Sequence, residues 1–127
     1  MVGIMIVEDD RDTLEILNVV LRRKFRDASF FTARNGREGV ELFKKQQVDL
    51  VITDVNMPQM GGAEMVREMR IFKPDTQFIF ITADTGKATL EHAIGKGFRL
   101  VHYLAKPVAY QDLFNAVEQT LAAHQEE

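Results

Sequence analysis

Four places in the sequence carry groups that could do chemistry together: Glu8-Asp9-Asp10, Asp54, Thr82 and Lys106. Each closes a short apolar run. Several carboxylates in one cleft repel one another. Two unit charges about 4 Å apart cost roughly 4 kcal/mol at an effective dielectric near 20. Uncompensated, one of them takes up a proton. A hard divalent cation removes the conflict. Mg2+ prefers oxygen ligands, keeps several waters, and is held by one or two carboxylates plus phosphate oxygens. The acidic cluster therefore reads as a Mg2+ site, which leaves Asp54 able to attack a phosphoryl group. Lys106 is a point charge able to bind a phosphoryl oxygen. Thr82 offers a hydroxyl donor. A phosphoryl transition state spreads charge over three equatorial oxygens. Metal, lysine and hydroxyl could each take one.

Such groups converge only if the elements that carry them are parallel. The chain alternates apolar runs with helical patterns. Strands are expected over residues 4–7, 29–32, 50–53, 77–82 and 101–104. Helical spacing follows the first strand at Leu14, Leu17, Val20 and Leu21. Arg22-Arg23-Lys24 closes that helix, where cations suit the negative end of the dipole. Further helices are expected over 36–46, 63–70, 87–94 and 110–123. Pro58, Gly61 and Gly62 turn the chain just after Asp54. Five strands alternating with five helices imply a doubly wound α/β domain, its mostly parallel sheet covered on both faces. Right-handed crossovers then bring every strand's C-terminal end to one rim, where open α/β folds bind ligands.

Composition limits the alternatives. One domain, residues 1–127, is the natural reading of this length. Hydrophobic residues at 46% supply a core, and charged residues at 28% a solvated surface. A net charge of −3 argues against general affinity for nucleic acid. Without cysteine there is no disulfide, thiolate chemistry or cysteine zinc site. Acidic residues interrupt the first apolar run too early for a signal peptide, and no stretch is long enough to span a membrane. A cytoplasmic protein is the simplest expectation.

These residues also resemble those of a known family, the response-regulator receiver domains, in the manner of the single-domain chemotaxis regulator. The likeness rests on Val7-Glu8-Asp9-Asp10, on Asp54 with Met57-Pro58 and Met60-x-Gly62, on Thr82-Ala83, and on Tyr103-x-x-Lys106-Pro107. One such match is weak; four in order, each at a strand end, are specific. The resemblance implies a flavodoxin-like sheet of strand order 2-1-3-4-5 with five helices. It implies that Asp54 is the phosphoacceptor and that Asp9 ligates Mg2+ directly. Glu8 would act through water, and the backbone carbonyl of Asn56 would complete the protein ligands. Family members take phosphate from a histidine kinase or histidine phosphotransfer domain and catalyse their own dephosphorylation. Asp10 falls one position past the acidic pair, so a capping role comes first.

Phosphorylation adds about −1.5 to −2 charges. By the resemblance, Thr82 then moves inward to bond one oxygen, and Tyr103 turns from exposed toward buried. A downstream protein partner would read the face near Lys87–Ile94, Val101–Leu104 and Tyr110–Ala123. Asn56 and Asp84 occupy places that tune water access to the acyl phosphate in this family, and here suggest a short-lived signal. The segment from Gly95 to His102 departs from the family in length and apolar character, which points to a specialised partner touching Phe98.

Plainer roles exist for each group. Asp10 or Asp12 caps the first helix. Thr82 alone could be a strand-end hydroxyl, Lys106 a solvated lysine, and Tyr103 plain core. Met57, Met60, Met65 and Met69 read as packing. His92, His102 and His124 lack ligand spacing. An aspartate-nucleophile phosphohydrolase is the enzyme-class rival, but it needs an Asp-x-Asp element on the first strand that Glu8-Asp9-Asp10 does not supply. A receiver that signals without phosphate, or the receiver part of a longer regulator with an output domain elsewhere, are the remaining readings.

Overall fold

The computed structural model describes residues 2–55, 60–82 and 101–126. Its elements are β1 (Gly3–Val7), α1 (Arg11–Lys24), β2 (Ser29–Ala33), α2 (Gly36–Lys45), β3 (Leu50–Asp54), α3 (Gly62–Phe72), β4 (Gln77–Thr82), β5 (Val101–Ala105) and α4 (Tyr110–Glu126). The five strands form one parallel sheet in the order β2-β1-β3-β4-β5. The helix expected over residues 87–94 lies outside the described residues.

The sequence pattern of the strands explains their place. β1, β3 and β4 are buried along their whole length and fill the middle of the sheet. β2 mixes partly exposed with buried residues, as an edge strand can. Side chains alternate between faces along each strand. Ile4 and Ile6, Leu50 and Ile52, and Ile79 and Ile81 meet Leu14, Leu17 and Leu21 of α1 and Leu113 and Val117 of α4. Met5 and Val7, Val51, and Phe78 and Phe80 meet Val40 and Phe43 of α2 and Met65, Val66 and Met69 of α3. Fully burying one such side chain is worth about 1.5–3 kcal/mol, so a one-residue slip in any central strand would forfeit both layers.

Local signals set the helix starts. Asp10 is the N-cap of α1, and its carboxylate accepts from the backbone N–H and the hydroxyl of Thr13. Asn35 caps α2 by accepting the Glu38 N–H at 2.8 Å. Gly62 donates to the Val55 carbonyl at 2.9 Å, and a Cβ at Gly62 would stand only 2.9 Å from that oxygen. The turn after β3 thus needs a glycine for close approach. Several ends differ slightly from expectation. α3 runs on to Phe72 because Lys73 donates to the Met69 carbonyl and Pro74 follows. The basic end of α1 is more than a solvated terminus: Arg22 lies over Phe30 and Lys24 over Phe114, each 5.6 Å from the ring centre.

Candidate functional site

The rim at the C-terminal ends of the strands gathers the acidic residues. Glu8 leaves the end of β1 and is held there by its N–H, which donates to the Ala33 carbonyl of β2 at 3.0 Å. Asp54 is the last residue of β3. Both are buried, while Asp9 is exposed. One carboxylate oxygen from each of Glu8, Asp9 and Asp54 lies within 4.8 Å of the other two. The Asp9 N–H also donates to the Glu8 carboxylate at 3.2 Å.

Lys106 reaches the same point from β5. Its backbone N–H donates to the Thr82 carbonyl at 3.0 Å, which extends the β4–β5 ladder by one step past the strand end. Its ammonium stands 2.5 Å from the Asp54 carboxylate. The bond to Asp54 raises the Lys106 pKa, and the nearby Glu8 and Asp9 charges add to that. The Lys106–Pro107 peptide is cis. Strand alternation puts Glu8, Asp54 and Lys106 on the α1–α4 side of the sheet, in line with Ile6, Ile52 and Leu104.

The charge balance at this cluster is uneven. Burial first, and then the Asp54 charge, push the Glu8 pKa up from 4.5 to about 7, with Lys106 only partly opposing them. One lysine does not neutralise three carboxylates. A hard cation bound by carboxylate oxygens suits this donor set in charge and in spacing. The further ligand that the resemblance implies, the Asn56 carbonyl, lies outside the described residues, as does Asp84.

Thr82 ends β4, buried, on the opposite face of the sheet from Asp54. It shares that face with Phe78, Phe80 and, on the neighbouring strand, Tyr103. Tyr103 is partly buried and stacks on Phe80 at 5.7 Å. The ring lies along the face of Phe80, 26° from parallel. Phe98 lies outside the described residues.

One part of the site had no counterpart in the sequence reading. A cleft of about 510 Å3 opens beside Glu8, Asp54 and Lys106, and its apolar wall includes Ile16, Leu17, Val108 and Tyr110. Ile16 and Tyr110 are about half exposed. The only sequence signal is Ile16 itself, an apolar residue off the stripe of Leu14, Leu17 and Leu21.

Comparison with known proteins agrees with this geometry. The family model for the response regulator receiver domain matches residues 4–118, and the chain belongs to that family. A response regulator receiver protein of Anaeromyxobacter sp. (strain Fw109-5) is 40% identical over 105 residues, 83% of this chain and 42% of that protein. A two component transcriptional regulator AraC from Clostridium phytofermentans ISDg has the same fold, with a TM-score of 0.88, 27% identity and full coverage of both chains. The response regulator protein TrrA from Thermotoga maritima, solved in complex with Mg2+-BeF, matches with a TM-score of 0.79 and 27% identity over 94% of this chain and 99% of that one. The chain spans only about a quarter to a half of the length of the curated relatives it matches. Among the described residues, no helix is long and apolar enough to cross a membrane.

Proposed function

We propose that this domain, residues 1–127, is a phosphorylation-controlled switch whose phosphoacceptor is Asp54. The observation that carries the reading is the Asp54 carboxylate, 2.5 Å from the Lys106 ammonium and grouped with Glu8 and Asp9 at the open rim of the sheet. Glu8, Asp9 and Asp54, with the Asn56 carbonyl, would hold Mg2+, which when bound offsets the charge of an incoming phosphoryl group. Asp54 presents its carboxylate oxygen to phosphorus. Lys106 turns from that carboxylate to a phosphoryl oxygen, a move of one charge-assisted bond between adjacent acceptors. Thr82 supplies a hydroxyl to a second oxygen from the far side of β4.

The donor is a histidine kinase or a histidine phosphotransfer domain in the cytoplasm. The domain performs no chemistry other than gaining and losing this phosphoryl group. The drawing-in of Thr82 is transmitted to Tyr103, and a protein partner reads the face formed by residues 87–94, β5 and α4. That partner is either a separate protein or an output domain of the same regulator; the greater length of the relatives supports the second.

The test is intact mass spectrometry after incubation with acetyl phosphate and Mg2+. One phosphoryl mass is expected, mapped to Asp54 and absent without the metal. An unchanged mass with a competent phosphotransfer donor, or a label on another residue, overturns the reading. Small phosphomonoesters should not be turned over, which separates the switch from an aspartate-nucleophile phosphohydrolase.

A further inference from the structure

On the side of the sheet away from the acids, four side chains form a continuous stack. Arg70, near the end of α3, places its guanidinium 5.3 Å from the Phe78 ring centre. Phe78 and Phe80, alternate residues of β4, lie 5.8 Å apart with their rings 9° from parallel. Phe80 then meets Tyr103, its register partner on β5, at 5.7 Å and 26°. Phe78 and Phe80 are both fully buried. Rings packed at interior density cannot shift alone, so the outer ring rests on a rigid base. Thr82 is the next residue after Phe80 on this face of β4.

We propose that Phe80 is a positioning residue that holds the Tyr103 ring inward before any phosphoryl group arrives, so that the switch starts partly set. The inference rests on the reading of Tyr103 as the moving element of the switch. Aromatic rings at these separations favour offset stacking over loss of contact. The Arg70 cation over the far end of the column favours the same ordered stack. To swing outward, Tyr103 must give up its flat contact with Phe80, while the inward pose needs nothing from Asp54. A partner that binds only the inward form then meets a larger competent fraction of unphosphorylated protein, and phosphorylation has less left to gain. An aliphatic residue at position 80 would fill the core but offer no ring face.

Fluorotyrosine NMR on the full chain tests this directly. The chain has two tyrosines, Tyr103 and Tyr110, so the second serves as an internal reference. Wild type, Phe80→Leu, Phe80→Met and Arg70→Gln are compared without a donor and with beryllium fluoride and Mg2+. The wild-type Tyr103 signal should already lie close to its beryllium fluoride position. Both Phe80 variants should move it away, with the inward-to-outward ratio falling about fivefold, the scale of one aromatic pair. Arg70→Gln, outside the aromatic core, should move it the same way by less. Beryllium fluoride should restore the inward position in all of them. Identical Tyr103 signals in wild type and the cooperatively melting variants, without the mimic, overturn the proposal. Asp54 labelling is measured on the same samples. Failure to label wild type sinks the phosphorylation reading, whereas the comparison made without the mimic judges Phe80 alone.

Discussion

Two carboxylate–lysine pairs stand at opposite rims of the sheet. At the N-terminal rim, Asp49 accepts the Gly3 N–H at 2.9 Å and the Lys73 ammonium at 3.0 Å. Lys73 also donates to the Val48 carbonyl at 2.9 Å. This pair joins the start of β1, the start of β3 and the end of α3, and donors outnumber negative charges there. At the C-terminal rim, Asp54 meets Lys106 at 2.5 Å, but Glu8 and Asp9 crowd the same point. The two pairs use the same two functional groups at similar distances. What separates a brace from a candidate cation site is the neighbouring charge. A carboxylate given backbone donors has little to gain from a ligand, whereas one given further carboxylates is stabilised by a cation.

The sharpest way to break this contrast is to neutralise each aspartate in turn. Under the proposed function, Asp54→Asn should abolish phosphoryl labelling completely while leaving the urea midpoint unchanged or higher, because it relieves repulsion. Asp49→Asn should do the reverse: labelling stays at the wild-type level, and stability falls by about 2 kcal/mol as a charge-assisted bond is lost. Equal loss of stability in both variants would erase the distinction.

A pH series probes the crowded rim without altering the brace. The Glu8 pKa is raised in the fold, from 4.5 to about 7. The folded state therefore binds more protons than the unfolded chain between these values, and stability falls as pH rises. Without metal, the Glu8 contribution should be full below pH 4.5 and gone once pH passes about 7. Urea midpoints of wild type and Glu8→Gln should diverge across that window and converge below it. Protons compete with Mg2+ for the same oxygens, so Mg2+ affinity should drop by up to about tenfold per pH unit below 7. A metal affinity flat from pH 5.5 to 8 would contradict the charge surplus. The smallest expected effect is at Asp10, which stands beside the acids but caps α1. Asp10→Ala should cost about 1 kcal/mol in thermal unfolding and leave labelling and Mg2+ affinity as they were.

Much of the rim was legible because each acidic residue ends an apolar run. Once the runs are parallel strands, convergence of Glu8, Asp9, Asp54 and Lys106 follows from topology. The role of Asp10 could be read from capping chemistry, which is local. The features without a local signal depend on pairing between distant segments. Asp49 and Lys73 are 24 residues apart, and nothing in either stretch marks the other as a partner. Phe80 faces Tyr103 only through the β4–β5 register. Ile71 and Phe72 are largely exposed, so the buried stripe of α3 stops short of the helix end, and its length was underestimated. Ile16 carries no such signal for the same reason: it lies off the buried stripe of α1, yet it helps form the wall of the cleft.

One consequence follows from the alternation along β4. Ile81 lies under the acids, while Phe80 and Thr82 belong to the other layer. Substitutions at positions 78 and 80 should therefore act on the layer that holds Tyr103 and leave Ile79 and Ile81, beneath the acids, in place. The odd places of β4 thus serve one layer of the core and the even places the other, so each layer can be altered with the other left in register.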